Sequence, residues 1–323
     1  MMKVSFVGSI MQETLFGEEI IDAKPFLKWA GGKTQLINQI EERLPQDIKS
    51  NKIIEKYFEP FIGGGALFFY LSSNYNIKKS YIYDINPELI VVYKTIKNNP
   101  KELINSLSEL KDNFIPLSHE ERKKIYLGIR KEFNESITEF DYSKYSKEDY
   151  VTRSTYFILM NKTCFNGLFR VNKKGEFNVP FGRYKNPAIF DKDNILACSK
   201  ALKNTFIEEG SFLNSEKLID SNSFVYLDPP YRPITSSASF TSYSKFDFND
   251  DDQIELANFY KRMSDNGAKL LLSNSDPKNT DESDDFFDDL YSDFTIDRVF
   301  AKRSINRNGK KRGAVSEILV KNY

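Results

Sequence analysis

At 323 residues the chain can bury a full core, as one large domain or two. A hydrophobic content of 40% with 28% charged residues fits a water-soluble globular protein, and a formal net charge of zero weighs against a sequence-blind nucleic-acid binder, which is usually basic. One histidine and two cysteines, Cys164 and Cys198, leave no material for a zinc centre, a disulfide framework or a histidine triad, so no metal is expected and both cysteines read as small core residues in a reducing cytoplasm.

Residues 1–23 form a weakly patterned extension without the apolar core of a secretory signal, and no later run is long enough to span a bilayer. Within it, Gln12-Glu13-Thr14-Leu15-Phe16 resembles the short Q-x-x-L-F peptides that dock on bacterial replication sliding clamps, which makes the clamp a candidate partner. The plain alternative is that Leu15 and Phe16 pack on the domain. Next, Trp29 stands beside Gly31, Gly32 and Lys33, ahead of a helix with Leu36, Ile37, Ile40 and Leu44 on one face. Trp29 is either core or a wall against a ligand whose carboxylate Lys33 would meet.

Tyr57 to Ile62 predicts a strand that runs into Glu59-Pro60-Phe61-Ile62-Gly63-Gly64-Gly65-Ala66, with a helix from Leu67 through Leu71. A strand, a glycine turn and a helix make a nucleotide-binding corner, where helix N–H groups point at the ligand. A second strand, Tyr81 to Tyr83, ends in Asp84, 21 residues after Gly63 and near the offset at which an acid meets ribose hydroxyls. Phe68 stands where the third glycine of a dinucleotide fingerprint would be, which favours a ligand other than NAD. Asn86 as N-cap and Pro87 behind it start the next helix.

From Pro87 to Tyr150 the pattern is helical and charged, with no catalytic constellation, and His119 reads as a solvated helix-start residue. Val151 to Asn161 is helical again. Asn161 to Lys185 is basic and interleaved with aromatics, and its Asn, Gly and Pro positions predict a β-hairpin or an irregular loop. Arginine and asparagine suit base edges, aromatics stack or wedge, and Arg183 and Lys185 suit phosphates. The plain alternative is a solvated basic surface.

Phe224 to Leu227 reads as a buried strand that stops at Asp228-Pro229-Pro230-Tyr231, because neither proline has the N–H a central strand needs. A carboxylate, a rigid turn and an aromatic ring at a strand's carboxyl end suit a planar, amine-bearing ligand such as adenine. Pro233 to Ser244 is a small-residue loop expected to be mobile until a partner orders it. A helix with Ile254, Ala257 and Tyr260 or Met263 inside leads to a strand at Leu270 to Leu272. After the acidic Asp281 to Asp289, the segments Phe294 to Phe300 and Val315 to Val320 predict an antiparallel pair around the basic loop Lys302 to Arg312.

In this order, Trp-Ala-Gly-Gly-Lys, Glu-Pro-Phe-x-Gly-Gly-Gly, Asp-Ile-Asn, Asn-Gly-Leu-x-Arg, Phe-Asn-Val-Pro-Phe-Gly-Arg-Tyr-Lys and Asp-Pro-Pro-Tyr resemble the Dam-type (D12 class, alpha-group) DNA adenine-N6 methyltransferases, including the GATC methylases of restriction systems. The resemblance runs from Lys24 to the C-terminus. It implies an α/β fold: a Rossmann-like sheet that uses S-adenosylmethionine, with an inserted, mostly helical target-recognition domain carrying a β-hairpin. The expected division is a catalytic domain of residues 24–88 and 191–323 and a recognition domain of residues 89–190, acting as a monomer on double-stranded DNA.

Carried over by position, Trp29, Lys33, Phe61, the Gly63–Gly65 turn, Asp84 and Asp228 would form the cofactor site, with Lys33 and Trp29 on its methionine part and Asp84 on the ribose. Asp228, Pro229, Pro230 and Tyr231 would be the catalytic motif. Phe165 and Asn166 would lie at the flipped base or the orphan thymine, and Arg170 would read a guanine. Leu168 and Pro180 would touch bases. Asn172, Asn178, Arg183 and Lys185 would position phosphates, with Tyr184 close by. Phe165 stands where several relatives carry tyrosine, which keeps stacking and removes a hydroxyl. Competing readings are a silent DNA-binding module, which the complete Asp228–Tyr231 motif disfavours, and a methyltransferase of the same fold acting on another DNA sequence, on RNA or on a protein amide.

Overall fold

The computed structural model describes residues 22–232, 248–302 and 314–323. The clamp-like Gln12–Phe16, the loop after Arg232 and the basic loop between the last two strands therefore lie outside the described residues. A 3-10 turn at Lys33–Gln35 leads into two short helices, α1 (Ile37–Glu42) and α2 (Gln46–Asn51), and then strand β1 (Ile53–Glu59). Helix α3 (Ala66–Asn74), β2 (Asn76–Asp84), α4 (Pro87–Asn98) and α5 (Pro100–Phe114) follow. Helices α6 (His119–Glu135) and α7 (Lys147–Thr163) precede the basic segment, and α8 (Lys192–Ala201) follows it. The chain closes with β3 (Thr205–Glu209), β4 (Ser223–Leu227), α9 (Asp250–Asp265), β5 (Lys269–Ser275), α10 (Phe286–Leu290), β6 (Thr295–Lys302) and β7 (Ala314–Lys321).

The strands form one seven-stranded sheet in the order β3-β2-β1-β4-β5-β7-β6. Strands β1 to β5 are mutually parallel, and β7 runs antiparallel between β5 and β6. The order reverses between β1 and β4, and such a switch point opens a crevice at the strands' carboxyl ends. This is the Rossmann-like sheet expected from the sequence, with β7 inserted antiparallel. Strand β4 (Ser-Phe-Val-Tyr-Leu) is buried throughout because both of its faces are covered. On β1 and β4, Tyr57, Phe224 and Tyr226 join the core on one face, while Phe58, Val225 and Leu227 join the core beneath α9 on the other.

The helical insert shares the first of these cores. Leu107 of α5, Tyr126 and Phe133 of α6, and Phe157 of α7 belong to the same buried cluster as Phe68, Phe69 and Tyr93 beside the sheet. A buried ion pair adds direction to this contact: Arg153 of α7 makes a two-pronged bond to Glu88 of α4, with Nε 2.7 Å from Oε2. The guanidinium also lies over Phe133 and Phe140, at 4.2 and 4.6 Å from their centroids.

Local chemistry sets several boundaries as expected. Asn86 caps α4 by accepting from the Glu88 and Leu89 amides. Ser118 and Glu121 form a capping box, so α6 begins at the half-exposed His119. Both cysteines are free and buried. The last two strands do pair antiparallel. One expectation fails: Ile254 is 40% exposed, and Gln253 takes the inward position on α9 with Leu256, Ala257, Tyr260 and Met263. Strand β3 and helix α8 had no counterpart in the sequence reading. No helix among the described residues is long and apolar enough to cross a membrane.

Candidate active site

Three strand ends converge on the crevice. Strand β1 delivers Glu59 and the glycine turn, β2 delivers Asp84, and β4 delivers Asp228. Gly63 and Gly65 have φ of 47° and 69°, in the left-handed region. Space forbids side chains there as well. A Cβ on Gly63 would lie 3.0 Å from the Trp29 ring, and one on Gly65 would lie 2.5 Å from the Tyr93 hydroxyl. The Tyr93 hydroxyl donates to the Gly63 carbonyl at 3.1 Å, and the Gly63 amide donates to Asp84 Oδ2 at 3.1 Å. Asp84 Oδ1 accepts from the Asn86 amide at 2.9 Å. Burial pushes the Asp84 carboxyl up to about 6 despite these two amides. Asp84 thus braces the glycine turn in addition to facing the crevice. Phe68, in place of a third glycine, is fully buried and stacked on Tyr57.

Asp228 is held from two sides through one oxygen. Lys33 Nζ lies 2.8 Å from Asp228 Oδ1, and Ser273 on β5 donates to the same oxygen at 2.9 Å. Burial raises the Asp228 carboxyl, and Lys33 and then Ser273 oppose that rise. The Lys33 ammonium also sits 4.4 Å from the Tyr231 ring centroid and donates to the Gly31 carbonyl at 2.8 Å. The Tyr231 hydroxyl donates to Glu317 Oε2 on β7 at 2.5 Å. The proline turn itself is fastened from α9: Gln253 Nε2 donates to the Pro230 carbonyl, and Asn274 of β5 donates to Gln253 Oε1. Phe61, just ahead of the glycine turn, packs near Phe212 and Phe248.

The basic segment folds back on itself. In place of a regular ladder it keeps two isolated antiparallel bridges, Cys164 with Phe181 and Val171 with Phe177. Its tip is exposed. Phe165 is 53% accessible, and the exposed Asn166 has a left-handed φ of 57°. Arg170 is exposed and donates through Nε to Asn178 Oδ1 at 2.8 Å, so these two predicted contacts are paired with each other. Asn172 is spent locally: its Oδ1 accepts from the Lys174 and Glu176 amides, and its Nδ2 donates to Glu176. The exposed Pro180 receives the Phe165 amide on its carbonyl. Leu168 is partly buried against the core. Arg183 and Lys185 are exposed, while Tyr184 carries the Lys28 ammonium 4.2 Å above its ring.

Two features join the basic segment to the N-terminal segment beside the glycine turn. Trp29 stacks on Phe169, with centroids 5.6 Å apart. Asn161 of α7 bonds both the amide and the carbonyl of Lys28, at 2.9 and 2.8 Å, and donates to the Gly167 carbonyl. Neither Asn161, Lys28, Glu59, Ser273 nor Glu317 was singled out from the sequence. Glu59 stood in a quoted motif, and that was the only signal for any of them. Among the described residues no group of three or more His, Cys, Asp or Glu side chains is arranged to hold a metal ion.

A methyl donor with an adenosine part fits this crevice. The glycine turn keeps the backbone open, Asp84 offers a carboxylate, and buried carboxyls outnumber the one lysine. The comparisons with known proteins agree. A family profile described as D12 class N6 adenine-specific DNA methyltransferase matches residues 29–305. A protein of Methanocaldococcus jannaschii named type II methyltransferase M.MjaIII is 51% identical over 94% of this chain and 100% of its own length. Type II methyltransferase M1.LlaDCHI of Lactococcus lactis is 38% identical, over 94% of this chain and 96% of its own. A DNA adenine methylase of Vibrio cholerae is 37% identical, over 92% of this chain and 95% of its own. The chain therefore belongs to the D12 class of N6 adenine-specific DNA methyltransferases.

Proposed function

We propose that this enzyme methylates N6 of an adenine flipped out of duplex DNA, within GATC, with S-adenosylmethionine as donor. The observation that carries the reading is the state of Asp228. Its side chain is 17% exposed and is clamped through Oδ1 by Lys33 and Ser273, which leaves Oδ2 as the oxygen to accept from a ligand. A base stacked in a duplex cannot reach a carboxylate so recessed, which supports flipping.

The amino lone pair of adenine is delocalised into the ring and is a weak nucleophile. Asp228 Oδ2 and the Pro229 carbonyl would each accept one N6–H, which draws the nitrogen toward tetrahedral geometry. The cofactor supplies an electrophilic methyl group on a sulfonium. Tyr231, with its hydroxyl tied to Glu317, offers a fixed ring face for the base. Lys33 favours the ionised form of Asp228, the form able to accept, against the rise that burial imposes. Rate then comes from positioning and from dipoles set in advance. Trp29, Lys33 and Asp84 are the residues we assign to the cofactor. Phe165, Asn166 and Arg170 are assigned to base contacts, and Arg183 and Lys185 to phosphates, on the strength of their exposure and chemistry.

The test is direct. Plasmid DNA from a host expressing the chain is digested with nucleases that cut GATC only when it is methylated, or only when it is not. Protection and sensitivity should exchange relative to a control host. An unchanged pattern, with radiolabelled methyl entering DNA elsewhere, would replace GATC by another sequence.

A further inference from the structure

The crevice contains one buried carboxyl that methyl transfer, as described above, does not use. Glu59 ends β1, next to the glycine turn, and is 3% exposed. Tyr57 donates its hydroxyl to Glu59 Oε2 at 2.6 Å, and the Phe68 amide in the first turn of α3 also bonds the carboxyl. Two neutral donors do not balance a buried negative charge, which needs a cation or a proton. The titratable groups that act on it electrostatically are Asp228 and Tyr226 from the end of β4, Tyr93 from α4 and Lys33 from the N-terminal segment, and Glu317 of β7 is coupled in turn to Lys33 and Asp228. Lys33 is the only cation among them, and it is already bound to Asp228 Oδ1 and the Gly31 carbonyl.

One ammonium therefore serves three carboxyls: Glu59, Asp228 and Glu317. The charge deficit matches a difference between two ligands. The methyl donor and its demethylated product differ by one methyl group and one positive charge, because a sulfonium becomes a neutral thioether. A site short of one cation distinguishes them by charge. We propose that Glu59 is the specificity-determining residue for this distinction: it holds a proton in the ligand-free protein, releases it to solvent when the sulfonium cofactor binds, and keeps it when the thioether binds. Burial pushes the Glu59 carboxyl up to about 8, against the pull of Tyr57, which accords with a proton held at neutral pH. The inference rests on the cofactor assignment above and adds to it a means of favouring fresh donor over spent product.

The experiment is isothermal titration calorimetry of the full chain with S-adenosylmethionine and with S-adenosylhomocysteine, each in phosphate and in Tris at pH 7. The dependence of the heat on buffer counts protons. The sulfonium ligand should release about one proton and the thioether about none, and the affinity ratio of the two should rise about tenfold per pH unit below pH 8. In Glu59→Gln the difference in proton count should vanish and the ratio should become independent of pH. Equal proton counts for the two ligands in the unaltered protein overturn the proposal, and that comparison needs no variant to fold. A Glu59→Gln protein that keeps the unaltered protein's proton release overturns it equally. If neither ligand binds, the cofactor assignment itself fails, an outcome distinct from equal counts.

Discussion

Gly65→Ala tests the argument that backbone conformation and space, together, reserve the cofactor turn for glycine. At φ 69° an alanine pays for the left-handed region, about 1–2 kcal/mol. Its Cβ would also stand 2.5 Å from the Tyr93 hydroxyl and 3.0 Å from Phe69 Cε2. Relieving that overlap displaces Tyr93, which bonds the Gly63 carbonyl, at about 1–3 kcal/mol more. The expected loss is about 2–5 kcal/mol in urea unfolding. Tyr93→Phe removes the atom that the new methyl meets, so the double variant should be about 1–2 kcal/mol more stable than the two single losses predict. Loss of less than about 0.5 kcal/mol in Gly65→Ala, or strict additivity in the double variant, would refute the reasoning.

Other consequences can be measured alongside. Asp228→Ala should lower radiolabelled methyl transfer by about 1,000-fold or more with a cooperative melt retained, because one acceptor of the amine is gone. Arg170→Ala should relax sequence preference at one base pair by about 10- to 100-fold in competition assays while leaving cofactor affinity unchanged, as the Arg170 side chain is exposed and bonds only Asn178 of the same segment. Glu59 should also shape stability without ligand. Its carboxyl is raised in the folded state, so its contribution is complete below the usual 4.5 and is lost as pH rises through about 8. Glu59→Gln should flatten that decline, of which about 2–3 kcal/mol falls between pH 6 and pH 9, in denaturation curves compared at those two pH values.

Local features of the site were legible because their causes are local. A glycine run after a strand, an acid at a fixed offset and a proline pair at a strand end each act within a few residues. Partners distant in the chain were not legible. Lys33 was assigned to a ligand carboxylate, yet it bonds Asp228, and nothing in either neighbourhood announces that contact. Ile254 was placed inside α9 because it is apolar, and the buried position belongs to Gln253, one residue earlier. A polar side chain is inward there because it holds the Pro230 carbonyl and takes a bond from Asn274. Strand β3 escaped notice because it is a five-residue edge strand with Glu208 and Glu209 exposed, which blurs the apolar pattern. The recognition segment was read as basic and turn-rich, and so it is. Its irregular course follows from side chains such as Asn172 that bond the backbone in place of a ladder.

The amide of Asn161 spans the Lys28 backbone as a neighbouring strand would, and the Trp29–Phe169 stack lies beside it. An engineer who wishes to retarget the enzyme therefore cannot treat residues 89–190 as a cartridge. Transplanting the whole insert from a relative would sever this seam and the core that continues through it. On the assignment proposed above, specificity is better rewritten at Phe165, Asn166, Arg170, Arg183 and Lys185, which are exposed and leave the seam closed.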